Sequence, residues 1–194
     1  MRNKLFIWIP KTAGTSLFEV LREHHSFRLY LDDYRKFDNK GNVSFGHLSV
    51  QDLLHCGVIS REYWNGTDVF CVVRNPYDRF RSLWLDYKRS KRITEDTTLR
   101  QFAWGMKHMG MRPGLHNAKD FSQCAPQCLW VVPGTRILRF ENLESDLIGI
   151  GVTEPIPHKN KGASRSWQDD YDEETKRLVS EIYMEDFIAF DYET

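Results

Sequence analysis

Cationic, hydroxyl and glycine residues cluster in the loop "PKTAGTS", residues 10–16, directly after the apolar run Leu5 to Ile9. A strand, a tight turn and a helix are the arrangement in which proteins hold phosphate, because backbone amides and the helix amino end point at the anion. Lys11 can neutralise the anion, and Gly14 lets the backbone approach it closely. The hydroxyl donors of the loop are Thr12, Thr15 and Ser16. The sequence therefore predicts an anion site, with an ordinary strand-to-helix turn as the alternative.

A second stretch, "VVRNPYDRFRSLW", repeats this pattern at residues 72–84. Arg74 follows an apolar strand, and Ser82 lies eight residues further on, inside the next helix. The two side chains can converge on one phosphate, Arg74 through two N–H groups and Ser82 through its hydroxyl. A structural ion pair between Arg74 and Asp78 is the alternative. Two anion sites at neighbouring strand ends indicate a ligand with two separate phosphate-type groups.

A candidate general base stands in "VSFGHLS", where His47 ends a predicted strand over Val43 to His47. Histidine suits proton transfer at neutral pH because its ordinary pKa lies near 6.5. A structural histidine is the alternative reading. Glu19 is a weaker candidate base, since its spacing from Ser16 is that of a helix capping box.

The elements that must position these residues alternate between strand and helix. Buried strands are predicted over Leu5 to Ile9, Val69 to Val73 and Arg136 to Phe140, and a helix over Asp172 to Phe187. This alternation predicts an α/β fold with a central, mostly parallel sheet flanked by helices, and ligands at its carboxyl edge. At 194 residues the chain is expected to form one domain, 1–194.

The overall composition argues against several classes of function. Lys plus Arg and Asp plus Glu both number 27, so the net charge is zero and binding to nucleic acid or membranes through bulk charge is not indicated. The first apolar run is too short for a signal peptide or a membrane span, so we expect a cytoplasmic protein. Its four cysteines are then expected to be free thiols. No metal-binding motif stands out.

Four stretches together resemble the sulfotransferases that use 3′-phosphoadenosine 5′-phosphosulfate (PAPS). They are "IPKTAGTSL", "VVRNPYDRFRSLW", "ILRFENLESDL" and "HKNKGASR". Within that family the resemblance is to the carbohydrate (Golgi type) sulfotransferase-2 group, which includes the uronyl and heparan sulfate 2-O-sulfotransferases. It implies a P-loop-like fold, PAPS as the donor substrate and no required metal.

The resemblance also assigns roles to residues. The 5′-phosphosulfate would be held by the first loop, which comprises Lys11, Thr12, Ala13, Gly14, Thr15 and Ser16. The 3′-phosphate would be held by Arg74 and Ser82. A late loop would close over the nucleotide with Lys159, Asn160, Lys161, Gly162 and Arg165, although a solvated basic loop is the alternative. His47 and Lys11 would be catalytic. The uronyl enzymes carry His-Gly-His where this chain has Phe45, Gly46 and His47.

The expected activity is sulfuryl transfer from PAPS to a hydroxyl of a carbohydrate or another small molecule. One alternative is a P-loop kinase for a small molecule, although "PKTAGTS" lacks the order of a Walker A loop. The other is a nucleotide-binding domain without catalytic activity, which the missing first histidine would suit. The sequence leaves the acceptor's identity and the oligomeric state open.

Overall fold

The structure is a computed structural model. It describes residues 3–21, 47–109, 111, 121–157 and 166–194, together with the backbone of 27–28, 34–37 and 41–44. The strands in chain order are β1 (Asn3–Ile7), β2 (Phe27–Arg28), β3 (Tyr34–Phe37), β4 (Gly41–Ser44), β5 (Thr67–Val73) and β6 (Arg136–Arg139). The helices are α1 (Gly14–Leu21), α2 (Val50–His55), α3 (Arg61–Asn65), α4 (Pro76–Arg89), α5 (Leu99–Lys107), α6 (Leu143–Ile148), α7 (Glu173–Ile182) and α8 (Met184–Phe190).

A four-stranded parallel sheet with the order β2-β1-β5-β6 lies between these helices. In its centre Ile7 is aligned with Cys71, and Cys71 with Ile137. The predicted α/β class is therefore confirmed, as is its P-loop-like start, in which β1 leads through a short loop into α1. Because the strands are parallel, the chain leaves β1, β5 and β6 at the same edge of the sheet.

Side chains of β1 are buried on both faces of the sheet, as its continuous apolar run predicts. Leu5 and Ile7 belong to a cluster that includes Trp130 and residues of α2. Phe6 and Trp8 pack on the opposite face against residues of α1 and α6. A third cluster joins α4, α5 and α7. Helix α4, which carries the second predicted motif, is thus fixed by packing rather than exposed on the surface.

Two helix starts are stabilised by side-chain caps. The side chain of Asn75 accepts hydrogen bonds from the amides of Tyr77 and Asp78, with Pro76 in the first turn of α4. Ser49 caps α2 and forms a capping box with Asp52. The residues before α4 and α2, Arg74 and His47, are therefore held at defined helix starts.

Three predictions of local structure are wrong. The strand predicted over Val43 to His47 does not include His47, and β4 (Gly41–Ser44) pairs antiparallel with β3 in a separate two-stranded sheet. Ser16 and Glu19 do not form a capping box at a helix start, because α1 already begins at Gly14. The last predicted helix is two helices, broken at Tyr183, whose buried hydroxyl donates to the carbonyl of Cys124 at 2.7 Å.

Two of the broader expectations also have a structural answer. All four cysteines are free thiols, as predicted. Among the described helices, none combines the length and the apolar composition that crossing a bilayer requires.

Candidate active site

The loop between β1 and α1 has an unusual backbone. Lys11 and Ala13 both have a φ of 68°, which is uncommon outside glycine, with Thr12 between them. Alternation between left- and right-handed conformations turns successive N–H groups toward one side and forms an anion-binding concavity, or nest. Strained residues of this kind concentrate at ligand-binding sites. The two left-handed residues therefore favour an anion-binding interpretation of this loop.

Thr12 stabilises this loop from within. Its side chain is fully buried, and its hydroxyl donates a hydrogen bond of 2.8 Å to the carbonyl of Ile9. The hydroxyl proton is therefore used inside the loop. The group that Thr12 could offer to an anion is its backbone N–H, whereas Thr15 and Ser16 line the cavity described below.

Gly14 is required by a neighbouring side chain. A Cβ atom at Gly14 would lie 1.8 Å from Nε1 of Trp8, far inside van der Waals contact. The indole of Trp8 therefore occupies the space that any larger residue would need. Trp8 in turn makes an edge contact with His47, with ring centroids 5.3 Å apart. The glycine thus allows the loop, the indole and the histidine to pack together.

Lys11 forms an ion pair with Asp86 of α4, and 3.1 Å separates Nζ from Oδ1. Burial lowers the pKa of Lys11 below its ordinary value, and the attraction of Asp86 offsets this effect only in part. Burial would raise the pKa of Asp86, but Lys11 and Arg89 outweigh it and hold that pKa below its ordinary value.

Arg74 links the two predicted anion-binding motifs. One of its N–H groups donates to the backbone carbonyl of Lys11 at 3.2 Å, so the motifs are in direct contact. The guanidinium also pairs with Asp78 at 2.7 Å and lies 4.1 Å from the ring centre of Phe140. The alternative ion pair between Arg74 and Asp78 is therefore present, and an anion at Arg74 would share it with that carboxylate.

The backbone of Arg74 is fixed by a buried polar network. The side chain of Gln127 accepts from the Arg74 amide and donates to the Arg74 carbonyl, both at 2.9 Å. Asp186 of α8 accepts hydrogen bonds of 2.8 Å from the amides of Gln127 and Cys128. Burial raises the pKa of Asp186 despite the nearby charge of Arg79. Residues 53 and 112 positions away in sequence thus hold the start of the second motif.

A second arginine of the same motif supports the first loop. Arg79 is 1% exposed, and its guanidinium donates to the backbone carbonyls of Pro10, Ala125 and Gln123 at 2.8 to 3.0 Å. Carbonyl acceptors on three segments satisfy this buried cation, as a buried charge requires. Arg79 therefore fastens the loop after β1 to α4 and to residues 123–125.

His47 lies between β4 and α2 in the chain, and its ring contacts Trp8, the residue after β1. Its Nδ1 is 3.2 Å from the carbonyl oxygen of Trp8. A carbonyl can only accept, so Nδ1 carries the proton of this hydrogen bond and the lone pair of the neutral ring is on Nε2. The backbone carbonyl of His47 accepts from the Trp130 indole at 2.9 Å. This tautomer is the one a general base at Nε2 requires.

A cavity of about 1150 Å³ opens at the carboxyl edge of the sheet and brings the two motifs and the histidine together. The predicted residues that line it are Lys11, Ala13, Gly14, Thr15, Ser16, His47, Arg74 and Ser82. Thr12 is buried behind this wall. The candidates Lys159, Asn160, Lys161, Gly162 and Arg165 lie outside the described residues.

Several lining residues were not singled out from the sequence. Asp86 and Leu85 follow Ser82 on the same side of α4, a helical spacing that could have indicated them. Arg81 also lines the cavity and forms an ion pair with Asp170. Trp167 lines the cavity as well and stacks on Tyr77, with ring centroids 5.1 Å apart. These residues form a second wall, built from α4 and the turn Trp167–Asp170.

The cavity has a mixed electrostatic character. Of the cations described in its wall, Lys11, Arg74 and Arg81 each lie beside a carboxylate, respectively Asp86, Asp78 and Asp170. An anionic ligand would therefore compete with these three carboxylates for the cations. Within the ranges that the structure describes, no group of three or more His, Cys, Asp or Glu side chains is arranged to hold a metal ion.

The chain was compared with protein families, with curated proteins and with solved structures. No family model matches the chain, and no curated protein matches it significantly. The chain is similar in structure to a crystal structure of a sulfotransferase from Alicyclobacillus acidocaldarius, with a TM-score of 0.49 and 17% sequence identity. The similarity covers 98% of this chain and 95% of the other.

Proposed function

We propose that this protein is a sulfotransferase that moves a sulfuryl group from PAPS to the hydroxyl of an acceptor. The observation that carries the proposal is the shared cavity, in which the phosphate loop, Arg74, Ser82 and His47 face one space. The hydrogen bond from Arg74 to the Lys11 carbonyl supports one ligand that spans both motifs, because the two anion sites are adjacent. A nucleotide with phosphate groups at its 3′ and 5′ positions has the required two anionic ends.

The two ends of the nucleotide would bind to different motifs. The 5′-phosphosulfate would receive hydrogen bonds from the amides of residues 12–16 and from the hydroxyls of Thr15 and Ser16, with Lys11 supplying charge. The 3′-phosphate would lie between Arg74 and Ser82. Residues 159–162 and Arg165 would close over the nucleotide.

In the proposed reaction the acceptor oxygen attacks sulfur in line with the leaving phosphate oxygen. A new S–O bond to the acceptor forms, and the S–O bond to the bridging oxygen breaks with its electron pair moving to the 5′-phosphate. His47 Nε2 takes the acceptor proton, which suits the tautomer set by Trp8. Lys11 and the loop amides stabilise the negative charge that develops on the departing oxygen. The products are the sulfated acceptor and 3′,5′-bisphosphoadenosine.

The acceptor is proposed to be a carbohydrate or another small molecule with a hydroxyl group. The cavity is larger than the roughly 300–1,000 Å³ of ordinary ligand pockets, at about 1150 Å³. That volume supports simultaneous binding of a nucleotide and an acceptor. A sulfuryl donor has no β- and γ-phosphates for a metal ion to bridge, so the reaction needs none of the Mg²⁺ that kinases use.

Nucleotide titrations separate this function from its alternatives. We expect calorimetric binding of 3′,5′-bisphosphoadenosine that is unaffected by Mg²⁺ and tighter than that of ATP. Mg²⁺-dependent binding of ATP with no binding of the bisphosphate would instead indicate a kinase. Binding of the bisphosphate without sulfuryl transfer to any of a panel of hydroxyl acceptors would indicate a nucleotide-binding domain without activity.

A further inference from the structure

Asp86 occupies a particular place beside the phosphate loop. It lies on α4 one turn beyond Ser82, lines the same cavity, and contacts the ammonium of Lys11 across 75 positions of sequence. Both side chains are largely shielded, with 24% of Lys11 and 21% of Asp86 exposed. The pair therefore sits in the cavity wall, where an anion at the loop would compete with the carboxylate for the same cation.

A second cation contacts the same carboxylate from outside. Arg89 lies three residues further along α4, forms an ion pair with the same Oδ1 atom of Asp86, and is 70% exposed. Asp86 thus has an inner partner in the cavity and an outer partner at the surface. If Lys11 moves to a ligand, Arg89 remains on the carboxylate, so the exchange does not leave a shielded charge without a counter-ion.

We propose that Asp86 is a positioning residue for Lys11, which holds its ammonium at the cavity wall and releases it to an entering anion while Arg89 retains the carboxylate. The proposal rests on the proposed function, because it takes that anion to be the 5′ group of a nucleotide. Asp86 then lowers the affinity of the site for anions and keeps Lys11 protonated in a partly buried position. Both effects depend on the direct contact between the two side chains.

The first test is a double-mutant cycle on nucleotide binding. We expect Asp86→Asn to lower the Kd for 3′,5′-bisphosphoadenosine by about 3- to 10-fold, the size of one ion pair. In a Lys11→Met background the same substitution should change the Kd by less than about twofold, because its target is gone. An unchanged or raised Kd for Asp86→Asn, or equal effects in both backgrounds, overturns the proposal.

A matched charge control separates this contact from the general field of the cavity. Glu144 also lines the cavity, and the described contacts of Lys11 do not include it. Glu144→Gln removes the same charge, and we expect less than half of the effect of Asp86→Asn on binding free energy. Equal effects would mean that Asp86 acts through bulk charge, which contradicts a positioning role.

Steady-state kinetics distinguish positioning from support of the fold. Removing a competitor for Lys11 strengthens binding of the donor, so Asp86→Asn should lower the donor KM. Asp86→Glu should restore the original KM. A raised KM together with a lowered unfolding temperature would show that Asp86 is merely structural.

Two further measurements keep this inference separate from the proposed function. If the wild type does not bind the bisphosphate, pyrophosphate is the probe, because it is an anion without a nucleoside. Its Kd should then fall in Asp86→Asn by the factor expected above for the bisphosphate. A protein that binds neither probe has no anion to exchange, which overturns the inference. Independently of any ligand, the pKa of Lys11 from pH-dependent amine labelling should fall in Asp86→Asn and stay constant in Glu144→Gln.

Discussion

Replacing Gly14 with alanine should damage stability and nucleotide binding together. The new Cβ would lie 1.8 Å from Nε1 and 2.0 Å from Cε2 of Trp8, and the indole, itself 8% exposed, is packed among other side chains. Relieving such an overlap shifts the indole or the loop and typically costs about 1–3 kcal/mol. For a chain of this length, each kcal/mol corresponds to about 2–4 °C in Tm.

Gly105 provides the matched control. It lies inside α5, and a Cβ there would meet no atom within 4 Å. Alanine should therefore stabilise the helix by about 0.5–1 kcal/mol, since glycine loses more backbone entropy on folding. The same chemical change thus has opposite signs at the two positions, which differential scanning calorimetry can measure.

The effect of Gly14→Ala should extend to ligands. Displacement of Trp8 alters both the loop amides and the surface against which His47 packs, so binding of 3′,5′-bisphosphoadenosine should weaken by about tenfold or more. Gly105→Ala should bind the nucleotide as the wild type does. If Gly14→Ala matched Gly105→Ala in both Tm and Kd, the close packing of Gly14 against Trp8 would be refuted.

Three further predictions concern the charged and titrating residues of the site. His47→Ala should reduce sulfuryl transfer by about 10²- to 10⁴-fold with little change in nucleotide Kd, whereas alanine at the exposed His55 of α2 should change neither. Near-full activity of His47→Ala would remove the base assignment. Arg74→Ala should weaken nucleotide binding by about tenfold or more, because Asp78 would then repel the phosphate. Arg100→Ala removes the same charge and is the control. An unchanged Kd for Arg74→Ala would disprove the 3′ site. The pKa of Lys11 is lowered, and its cationic form binds the anion, so nucleotide affinity should begin to fall at a pH below 10.5, the ordinary pKa of lysine. Lys11→Arg should remain charged and show no such fall. Identical pH profiles for the two proteins would contradict this role of Lys11.

The sequence predicts where the candidate cations lie relative to the strands. The positions of Lys11 and Arg74 come from apolar runs that end in polar residues, and parallel strands bring such ends to one edge. Ser82 follows from helical spacing within α4. These local patterns suffice to place the candidate residues, because each one is adjacent in sequence to the element that holds it.

The wrong predictions have a common physical origin in tertiary contacts. Strand β4 pairs antiparallel with β3 in a separate sheet, and His47 lines the cavity from a position just before the cap of α2 rather than from a strand. The break at Tyr183 accompanies a hydrogen bond to Cys124, 59 positions away. Gln127 and Asp186, which fix Arg74, are likewise distant in sequence. No local periodicity encodes such contacts.

The central claim is that the cavity joins a sulfuryl donor to a hydroxyl acceptor. The most direct measurement is transfer of ³⁵S from radiolabelled PAPS to a panel of sugars and small hydroxyl compounds, with the His47→Ala protein alongside. We expect a labelled acceptor, stoichiometric release of 3′,5′-bisphosphoadenosine, and loss of both products in the variant. Tight donor binding with no labelled acceptor, or equal transfer by wild type and His47→Ala, would contradict it.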